Sequence, residues 1–368
     1  MKPFCRYLFL IVAFFISNKT LGQGHYTVTG IVLDDKGNPA KSATVFISGS
    51  EKITMTNDNG RFIFNKMDPG NFQLSVHMLG YYPGTQAITI KATSVDVSFT
   101  LKVKSNILNE VIIGGIDDWA KNYAIFKEQF LGTSANARNC VIINPRILHF
   151  TTKKGTLTAD ADDFLVIENK RLGYRVKYLL KYFSYNSNFA RTGYDGDASF
   201  EEMDGAAEVQ NRWTQNRLET YKGSMMHFLR AVYWNTVLKE GFLTYKLFRD
   251  TTRQTRLGEK VTVVGIDKRP VKFDTLVNVI DTSFVSFKFN HLYATYDPAG
   301  AAIVQAKRDL PMKKLFVLTD QGSTIKLYLK EAIIDRRGSY ADYRTFLIKG
   351  DWSRRRIGDQ LPFEYQPQ

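Results

Sequence analysis

Alternating apolar and polar positions fill the first part of the chain after its opening residues. In residues 72–78 every second residue is apolar, and residues 95–101 repeat the pattern. The apolar members of the first run are Phe72, Leu74, Val76 and Met78, and the polar ones are Gln73, Ser75 and His77. This alternation predicts antiparallel strands with one buried and one solvent-exposed face. Gly- and Asn-containing turns at residues 35–38 and 57–60 separate the strands, so the pattern predicts a small β-sandwich.

The pattern changes to a helical period after residue 116. Trp119, Tyr123, Phe126 and Phe130 follow at spacings of 4, 3 and 4, which places them on one face of a helix. Asp117 and Asp118 can cap its start, and Gly132 can end it. We expect this helix to pack on the sheet that follows.

Residues 141–200 return to a period of two. Residues 164–168, the turn at 169–173 and the alternating run at 174–182 predict a hairpin. Residues 185–200 are rich in Asn, Gly, Asp and Tyr, so we expect a long loop or an irregular edge there. Exposed aromatic residues in such a loop can stack on sugar rings, although the composition is also ordinary for a loop.

Residues 206–238 carry the strongest helical signal of the chain. Gly223 and Ser224 are expected to break it into two helices, with Ser224 capping the second. Strand patterns then return at residues 242–248, 260–265, 284–289, 315–318, 324–330 and 343–348. The predicted fold class of this larger region is therefore α+β with a mainly antiparallel sheet, following an N-terminal all-β sandwich of transthyretin or immunoglobulin type.

The first 22 residues predict a signal peptide. Lys2 and Arg6 precede an apolar run at residues 7–16 that is too short to span a membrane. We therefore predict an exported protein, periplasmic or associated with the outer membrane. The predicted division is a signal peptide at 1–22, a sandwich at 24–103, a linker at 104–116, an α+β domain at 117–350 and an irregular basic tail at 351–368.

Charge and cysteine content narrow the expected partners. Removal of the signal peptide, which has three basic residues and no acidic ones, lowers the net charge from +14 to +11. For an exported chain this favours an envelope polymer, a lipid surface or a protein partner over nucleic acid, although a basic surface can also serve solubility alone. No transmembrane span is predicted in the mature chain. Cys140 would be its single cysteine, which excludes an internal disulfide, and its apolar surroundings predict a buried side chain.

Several short motifs in residues 26–102 resemble one known family. They are Gly30-x-Val32, Gly37-x-Pro39, Ala43-x-Val45, Thr56 with Gly60-x-Phe62, Gly70-x-Phe72-x-Leu74 and Gly80-Tyr81. The segment resembles the carboxypeptidase regulatory-like family of transthyretin-like β-sandwiches. The resemblance implies an accessory or docking module without catalysis, commonly found at the N-termini of exported and outer-membrane proteins of Bacteroidota-type bacteria.

The family name does not imply peptidase chemistry here. None of the five histidines begins a His-x-x-Glu or His-Glu-x-x-His motif, and no two lie within ten residues of each other. Asp34, Asp35, Asp58 and Asn59 lack the spacing of an EF-hand and are interpreted as turn residues. The sequence therefore predicts no catalytic residue, no metal and no cofactor.

Residues 108–113 resemble the segment that joins this module to the plug of TonB-dependent outer-membrane receptors. Only about 250 residues follow, which is too few for a plug and a 22-stranded barrel. The larger region resembles the C-terminal parts of exported proteins known mainly by their regulatory-like domain, as in Leu165-x-Ile167-x-Asn169 and Tyr221-x-Gly223-Ser224. No activity is implied by that likeness.

Two clusters are the candidates for binding or chemistry. Arg212, Arg217, His227 and Arg230 place cationic groups beside the helical stripe, as an anion or partner site requires, or they cover the core with their stems. Asp160, Asp162, Asp163 and Glu168 can supply a glycosidase pair, or they are the solvated end of a hairpin. The leading hypothesis is a non-enzymatic envelope protein that docks through its sandwich, with a glycan-acting hydrolase as the alternative. A third hypothesis is a peripheral membrane protein held by the basic tail.

Overall fold

The computed structural model describes residues 25–104, 116–254, 260–306, 322–340 and 343–368. The predicted signal peptide and most of the predicted linker lie outside these ranges. The N-terminal part is a β-sandwich of two sheets, in the orders β4-β1-β7 and β3-β2-β5-β6. The strands are β1 Tyr26–Asp34, β2 Thr44–Ile47, β3 Ile53–Met55, β4 Arg61–Met67, β5 Gly70–His77, β6 Gly84–Ile90 and β7 Val95–Leu101.

The core of the sandwich confirms the apolar periodicity. Leu74 and Val76 of β5 face Val97 and Phe99 of β7 in one buried cluster. One expectation is wrong, because β7 pairs with β1 in parallel rather than antiparallel. Alternation reports which side of a strand is buried and does not report the direction of its neighbour.

The second face of β5 also differs from the prediction. Ser75 is fully buried and only 11% of the His77 side chain is exposed. The alternating pattern predicts that both residues face water. Their face is covered because the C-terminal region packs directly on this sheet.

The first layer of the C-terminal region combines a six-stranded antiparallel sheet with a helix. Its strand order is β8-β11-β12-β10-β9, and β13 pairs with β12. Its elements are α1 Ile116–Leu131, α2 Ala135–Arg138, β8 Cys140–Ile142, β9 Leu148–Lys153, β10 Thr156–Ala161, β11 Leu165–Asn169, β12 Tyr174–Asn186 and β13 Arg191–Glu202. The predicted helix packs on the sheet through Phe126 and Phe130, both fully buried.

Strand β13 replaces most of the loop predicted at residues 185–200. Twelve register pairs join it to β12, from Tyr174 with Glu202 to Asn186 with Arg191. Gly, Asn and Asp are disfavoured in strands, so local composition predicts a loop. The hydrogen bonds of a long partner strand outweigh that preference.

The two predicted helices are present, as α3 Ala207–Tyr221 and α4 Met225–Tyr233. Gly223 has a φ of +71°, and the Ser224 side chain accepts a hydrogen bond from the backbone N–H of His227. The break and the cap are therefore confirmed. A left-handed residue followed by a capping serine ends one helix and starts the next.

The second layer contains two further antiparallel sheets, in the orders β15-β14-β18-β19-β21 and β16-β17-β20. Its elements are β14 Phe242–Gln254, β15 Lys260–Pro270, β16 Val277–Val279, β17 Phe284–Phe287, β18 His291–Tyr296, α5 Pro298–Ala306, β19 Ser323–Leu327, β20 Ala332–Asp335, β21 Phe346–Gly350 and α6 Asp351–Arg354. The strand predicted at residues 315–318 lies outside the described residues. The mainly antiparallel α+β expectation is confirmed.

The predicted basic tail, residues 351–368, has little regular structure, but it packs against the rest of the C-terminal region. Trp352, Ile357 and Leu361 are buried in the two C-terminal core clusters, and residues 357–359 form a 3-10 turn.

Within the described ranges, no helix is both long enough and apolar enough to span a bilayer.

Candidate functional site

The sandwich and the C-terminal region meet along an interdomain seam. On the sandwich side the seam is formed by β5 and the turn at residues 47–52. On the other side it is formed by β13, the turn at 335–340 and residues 363–364. Polar groups from both sides meet in the seam beside aromatic contacts such as Phe46 with Phe164, so its hydrogen bonds help to determine how the two parts fit.

Asp197 of β13 is the first anchor of the seam. Its fully buried carboxylate accepts hydrogen bonds from Gln73 Nε2 at 2.7 Å and Ser75 Oγ at 2.6 Å. Lys181 Nζ of β12 lies 2.6 Å from the same carboxylate. A buried charge is tolerated only when it is paired and hydrogen-bonded. The polar face of β5 therefore completes a network that the C-terminal region alone would leave unsatisfied.

Asp335 and Arg337 form the second anchor. Asp335 is fully buried and accepts a hydrogen bond from the backbone N–H of Asn71 at 3.1 Å. Arg337 Nη2 donates to the Asn71 carbonyl at 2.5 Å and to Asp335 at 2.8 Å. Its guanidinium lies over the rings of Phe72 and Phe363, at 4.0 and 5.5 Å from their centroids. This ion pair thus holds one backbone position of β5 and stacks on aromatic rings from both sides of the seam.

The turn at residues 47–52 inserts between β13 and the C-terminal segment. The Gly49 N–H donates to the Ala198 carbonyl at 2.7 Å, and the Phe363 N–H donates to the Gly49 carbonyl at 2.8 Å. Gly49 has a φ of +74°, and a Cβ there would lie 2.6 Å from the Phe363 ring. Only glycine satisfies both constraints.

Glu364 and Glu51 close this corner of the seam. Glu364 accepts hydrogen bonds from Ser50 Oγ and from the backbone N–H of Glu51. Burial, followed by the nearby charge of Glu364, raises the pKa of Glu51. Glu51 thus lies near enough to Glu364 for the two carboxylates to repel each other.

A cleft of about 430 Å³ opens beside these anchors, with walls from both domains. Trp234, at the end of α4, stands at the cleft with 64% of its surface exposed. Polar side chains surround it, namely Lys52, Asp68, Arg336, Glu364 and Gln366. Arg336 Nη2 lies 2.7 Å from Asp68 Oδ2. The cleft thus combines a flat aromatic face with charged and amide groups.

A smaller cavity of about 240 Å³ lies behind Phe72 and Phe363 in the same seam. Asn71, Gln73, Asp195 and Asp197 contribute its polar lining. The side-chain oxygen of Asn71 accepts from Thr89 Oγ1, whereas its buried Nδ2 donates to no described group. A water molecule is the simplest occupant for such a donor.

Arg217 and Arg230 both donate to backbone carbonyls. Arg217 donates to the Leu172 and Gly173 carbonyls, pairs with Glu202 and stacks on Tyr174 at 3.9 Å. The more deeply buried Arg230 donates to the carbonyls of Arg337, Phe363 and Tyr365. These contacts fasten the turn before β12 and the C-terminal segment, and each of the two guanidinium groups is bound by groups of the protein itself.

His227 and Arg212 lie in different surroundings. His227 is 5% exposed, and its Nδ1 accepts the backbone N–H of Gly223 at 3.1 Å. Its Nε2 lies 3.3 Å from Glu240, and burial lowers its pKa despite that carboxylate. Arg212 is exposed on α3. The described contacts give these four residues separate roles, and the anion site remains a prediction.

The members of the acidic cluster contact different groups, and the exposed Asp160 of β10 takes part in no ion pair among the described residues. Asp162 lies 2.5 Å from His149 Nε2, and Asp163 lies 2.7 Å from His77 Nε2 across the seam. Glu168 accepts from Arg175 at 2.9 Å. A glycosidase pair requires two carboxyl groups that face one bond, and these carboxylates instead contact different side chains.

The remaining predicted features have structural roles. Cys140 is 1% exposed, which confirms the buried interpretation, and burial raises the pKa of its thiol to about 12. Arg355 donates to Asp351 and to the Thr220 carbonyl, and Arg356 donates to the Gln129 carbonyl. Within the described residues, no group of three or more His, Cys, Asp or Glu side chains could hold a metal ion.

Sequence reasoning missed the residues that build the cleft. Trp234 directly follows the last residue of α4. An aromatic residue placed just beyond an apolar helical stripe is a local signal of an exposed ring. No local pattern in the sequence singles out Asp335 or Arg337. Their partners on β5 are more than 260 positions away along the chain.

Comparison with a family model supports the N-terminal assignment. Residues 28–113 match the model of the CarboxypepD_reg-like domain, so the chain carries this domain in its N-terminal part. The resemblance and its sandwich fold are thus confirmed. No curated protein matches the chain.

Several solved structures match parts of the chain at low similarity. A chain of a type II cohesin–X-dockerin complex from Acetivibrio cellulolyticus is 18% identical, over 26% of this chain and 71% of that one, with a TM-score of 0.20. A streptococcal ancillary pilin is 12% identical over 21% and 32%, with a TM-score of 0.18. A DUF3823 family protein from Bacteroides ovatus is 10% identical over 49% and 82%, with a TM-score of 0.17. At these TM-scores the similarities carry no argument about function.

Proposed function

We propose that this chain is an exported, non-catalytic envelope protein that binds a glycan in the cleft of the interdomain seam. In this proposal Trp234 is the platform on which a sugar ring stacks. Lys52, Gln366 and the Asp68–Arg336 pair supply hydrogen bonds to its hydroxyl or acidic groups.

The observation that carries the proposal is the exposure of Trp234 at the cleft. A tryptophan that leaves most of its surface in water forgoes the stabilisation of burial, which is worth roughly 2 kcal/mol for a large apolar side chain. A flat indole flanked by convergent polar groups suits a ligand with one apolar face and a polar rim. A pyranose ring has this character.

The seam also makes the cleft rigid. Its walls come from two domains, and the buried anchors Asp197 and Asp335 fix their relative position. A preformed site loses little conformational entropy when it binds. The sandwich would then act as one wall of the site rather than as a flexible spacer.

The contacts of the carboxylates favour binding over hydrolysis. Glu364 is held by Ser50 and the Glu51 backbone, and Asp68 is paired with Arg336. A retaining or inverting glycosidase needs one carboxyl group free to give a proton and a second free to attack or to activate water. In this cleft both groups already have partners.

Glycan binding is tested by replacing the platform. Trp234→Ala is expected to reduce the affinity about fivefold or more for any oligosaccharide bound by the wild-type chain, with the roughly 1–3 kcal/mol of a nucleobase stacked on an aromatic side chain as the guide. The measurement is a panel of neutral and uronic-acid-containing oligosaccharides, followed by calorimetric titration of those that bind. Tyr328→Ala is the matched control, because Tyr328 is 61% exposed and lies outside the lining of the cleft.

The same panel separates binding from hydrolysis. Wild-type protein incubated with the bound oligosaccharides should release no reducing ends. Release that Glu364→Gln abolishes would replace this proposal with the hydrolase alternative. Equal affinity of Trp234→Ala and wild type would remove Trp234 as the platform.

Export is proposed from the opening residues of the chain. The basic positions Lys2 and Arg6 and the apolar run at 7–16 support it. N-terminal sequencing of the protein purified from envelope fractions should give a chain that begins at Gln23. A chain that retains residues 1–22 in the cytoplasmic fraction would contradict export.

A further inference from the structure

Two neighbouring hairpins end in a basic tip surface, formed by Lys153 and Lys154 of the β9–β10 hairpin and by Phe189 and Arg191 of the β12–β13 hairpin. All four residues are exposed, and Phe189 is 79% exposed. Phe189 lies at the end of the longest hairpin of this layer. The tip surface thus presents one large apolar ring among three cations.

Hydrogen bonds between the hairpins hold the tip surface together. The Ser187 N–H donates to the Gly155 carbonyl at 3.0 Å, and Asn186 Nδ2 donates to Thr156 Oγ1 at 2.8 Å. The Phe189 N–H donates to Asn186 Oδ1 at 3.2 Å. These bonds hold the two turns next to each other at one end of the sheet.

The charges of the tip surface are not balanced locally. Residues 148–159 and 184–194, which form these two ends, contain no Asp or Glu. Among the described residues, no ion pair joins Lys153, Lys154 or Arg191 to a carboxylate. By contrast, Arg355 and Arg356 of the predicted basic tail donate to groups of the protein itself. Two of the three arginines at residues 354–356 are thus bound within the protein, whereas the three cations of the tip surface have no carboxylate partner among the described residues.

We propose that the tip surface attaches the protein to an anionic lipid surface. Phe189 would enter the boundary between head groups and acyl chains, and the three cations would contact lipid phosphates. Each Lys or Arg near such a surface contributes about 1 kcal/mol, and a buried phenyl ring adds an apolar contribution. The exposed ring favours lipid over a soluble polyanion, because only lipid offers an apolar phase to the ring.

The test uses the predicted mature chain, residues 23–368, and vesicles of phosphatidylglycerol mixed with phosphatidylcholine. Binding by co-sedimentation is expected with these vesicles at low salt and not with phosphatidylcholine alone, and about 0.5 M salt should weaken it strongly. Lys153→Glu with Lys154→Glu should reduce binding at least about tenfold. Phe189→Ala should reduce it several-fold.

Matched variants control for total charge and for exposed apolar area. Lys36→Glu with Lys91→Glu changes the net charge equally on the sandwich, and Leu79→Ala removes a side chain that is 76% exposed. Both should bind nearly as wild type. Phe189→Trp should show a blue-shifted difference emission on anionic vesicles, which dextran sulfate should not produce.

Three results would overturn the proposal. They are an equal loss of binding in the sandwich charge variant, unchanged binding of Phe189→Ala, and identical emission of Phe189→Trp with vesicles and with dextran sulfate. The last two results together would indicate a site for soluble polyanions. Glycan binding at the cleft is independent of these variants, so failure of either proposal can be recognised separately.

Discussion

Both faces of β5 are buried, one against apolar side chains and the other against polar groups. Leu74 and Val76 enter the apolar core of the sandwich. Ser75 and Gln73, on the opposite face, donate to the carboxylate of Asp197. One strand therefore belongs to the sandwich core on one side and to the interdomain seam on the other.

The two kinds of contact are expected to lose stability in different ways when their residues are substituted. An apolar core loses stability in proportion to the volume removed, because dispersion and burial are spread over many atoms. A buried polar network is stable only when every polar group in it has a hydrogen-bond partner. A group left without its partner still carries the full cost of desolvation. The core should respond gradually to substitution and the seam abruptly.

The largest effect is expected on the apolar face. Leu74→Ala should lower the free energy of unfolding by about 3–5 kcal/mol, because Leu74 is fully buried and its loss leaves a cavity. Urea denaturation measures the change. Ile90→Val in the same core is the control, with an expected loss of about 1 kcal/mol. A smaller loss for Leu74→Ala than for Ile90→Val would contradict the gradual response.

A somewhat smaller effect is expected at the seam. Asp197→Ala should cost about 3 kcal/mol, since it leaves Lys181, Gln73 and Ser75 without their shared acceptor. The double variant Asp197→Ala with Lys181→Met should be more stable than the single variant, because no half-buried charge remains. Glu201→Ala, which removes an exposed partner of Arg175, should cost less than about 1 kcal/mol.

The order of these variants distinguishes a network from a sum of contacts. If the double variant loses as much stability as Asp197→Ala and Lys181→Met added together, the unpaired charge of Lys181 does not explain the instability of Asp197→Ala. Calorimetry adds a second readout. Loss of the anchor should separate the unfolding of the sandwich from that of the C-terminal region.

The smallest effect is a pH dependence at a second buried polar contact. Burial lowers the pKa of His227, so the fold favours the neutral ring, whose Nδ1 accepts the Gly223 N–H. The unfolded chain takes up a proton near pH 6.5, before the folded chain does. The stabilising contribution is therefore complete above that pH and decreases as the pH falls toward the folded pKa.

Unfolding measured between pH 7.5 and about 5 tests this direction. His227→Asn places an oxygen near the position of Nδ1 and cannot be protonated, so it should remove this part of the pH dependence. Leu74→Ala should leave the slope unchanged. A wild-type chain that gains stability through this contact on acidification would contradict the assignment of the neutral ring.

Much of the secondary structure could be predicted because its signals are local. The alternation in residues 95–101 defined the buried side of β7, and the stripe ending at Phe130 defined the buried side of α1. Gly223 and Ser224 marked a helix break through backbone geometry and capping. Strand β13 was missed because its composition disfavours a strand and only its pairing with β12 stabilises it.

The candidate site was less predictable because its contacts are distant in sequence. Arg217 and Arg230 were recognised as cationic groups beside a helix, but the carbonyls they bind belong to Leu172, Gly173 and the C-terminal segment. The position of an arginine on its helix does not determine which acceptor its guanidinium reaches. Trp234 became a candidate only when its exposed face was seen beside a cleft.

The sequence by itself determined the sandwich, its apolar core, the two helices and the α+β class, because periodicity states which side of an element is apolar. Only the tertiary structure decided that the polar side of β5 is buried, that the basic tail is part of the core and that the cleft and the tip surface exist. Ser75 and Asp197 are 122 positions apart, and Asn71 and Asp335 are 264 apart. A pattern along the chain shows which side of a strand is polar, whereas only the fold shows what covers that side.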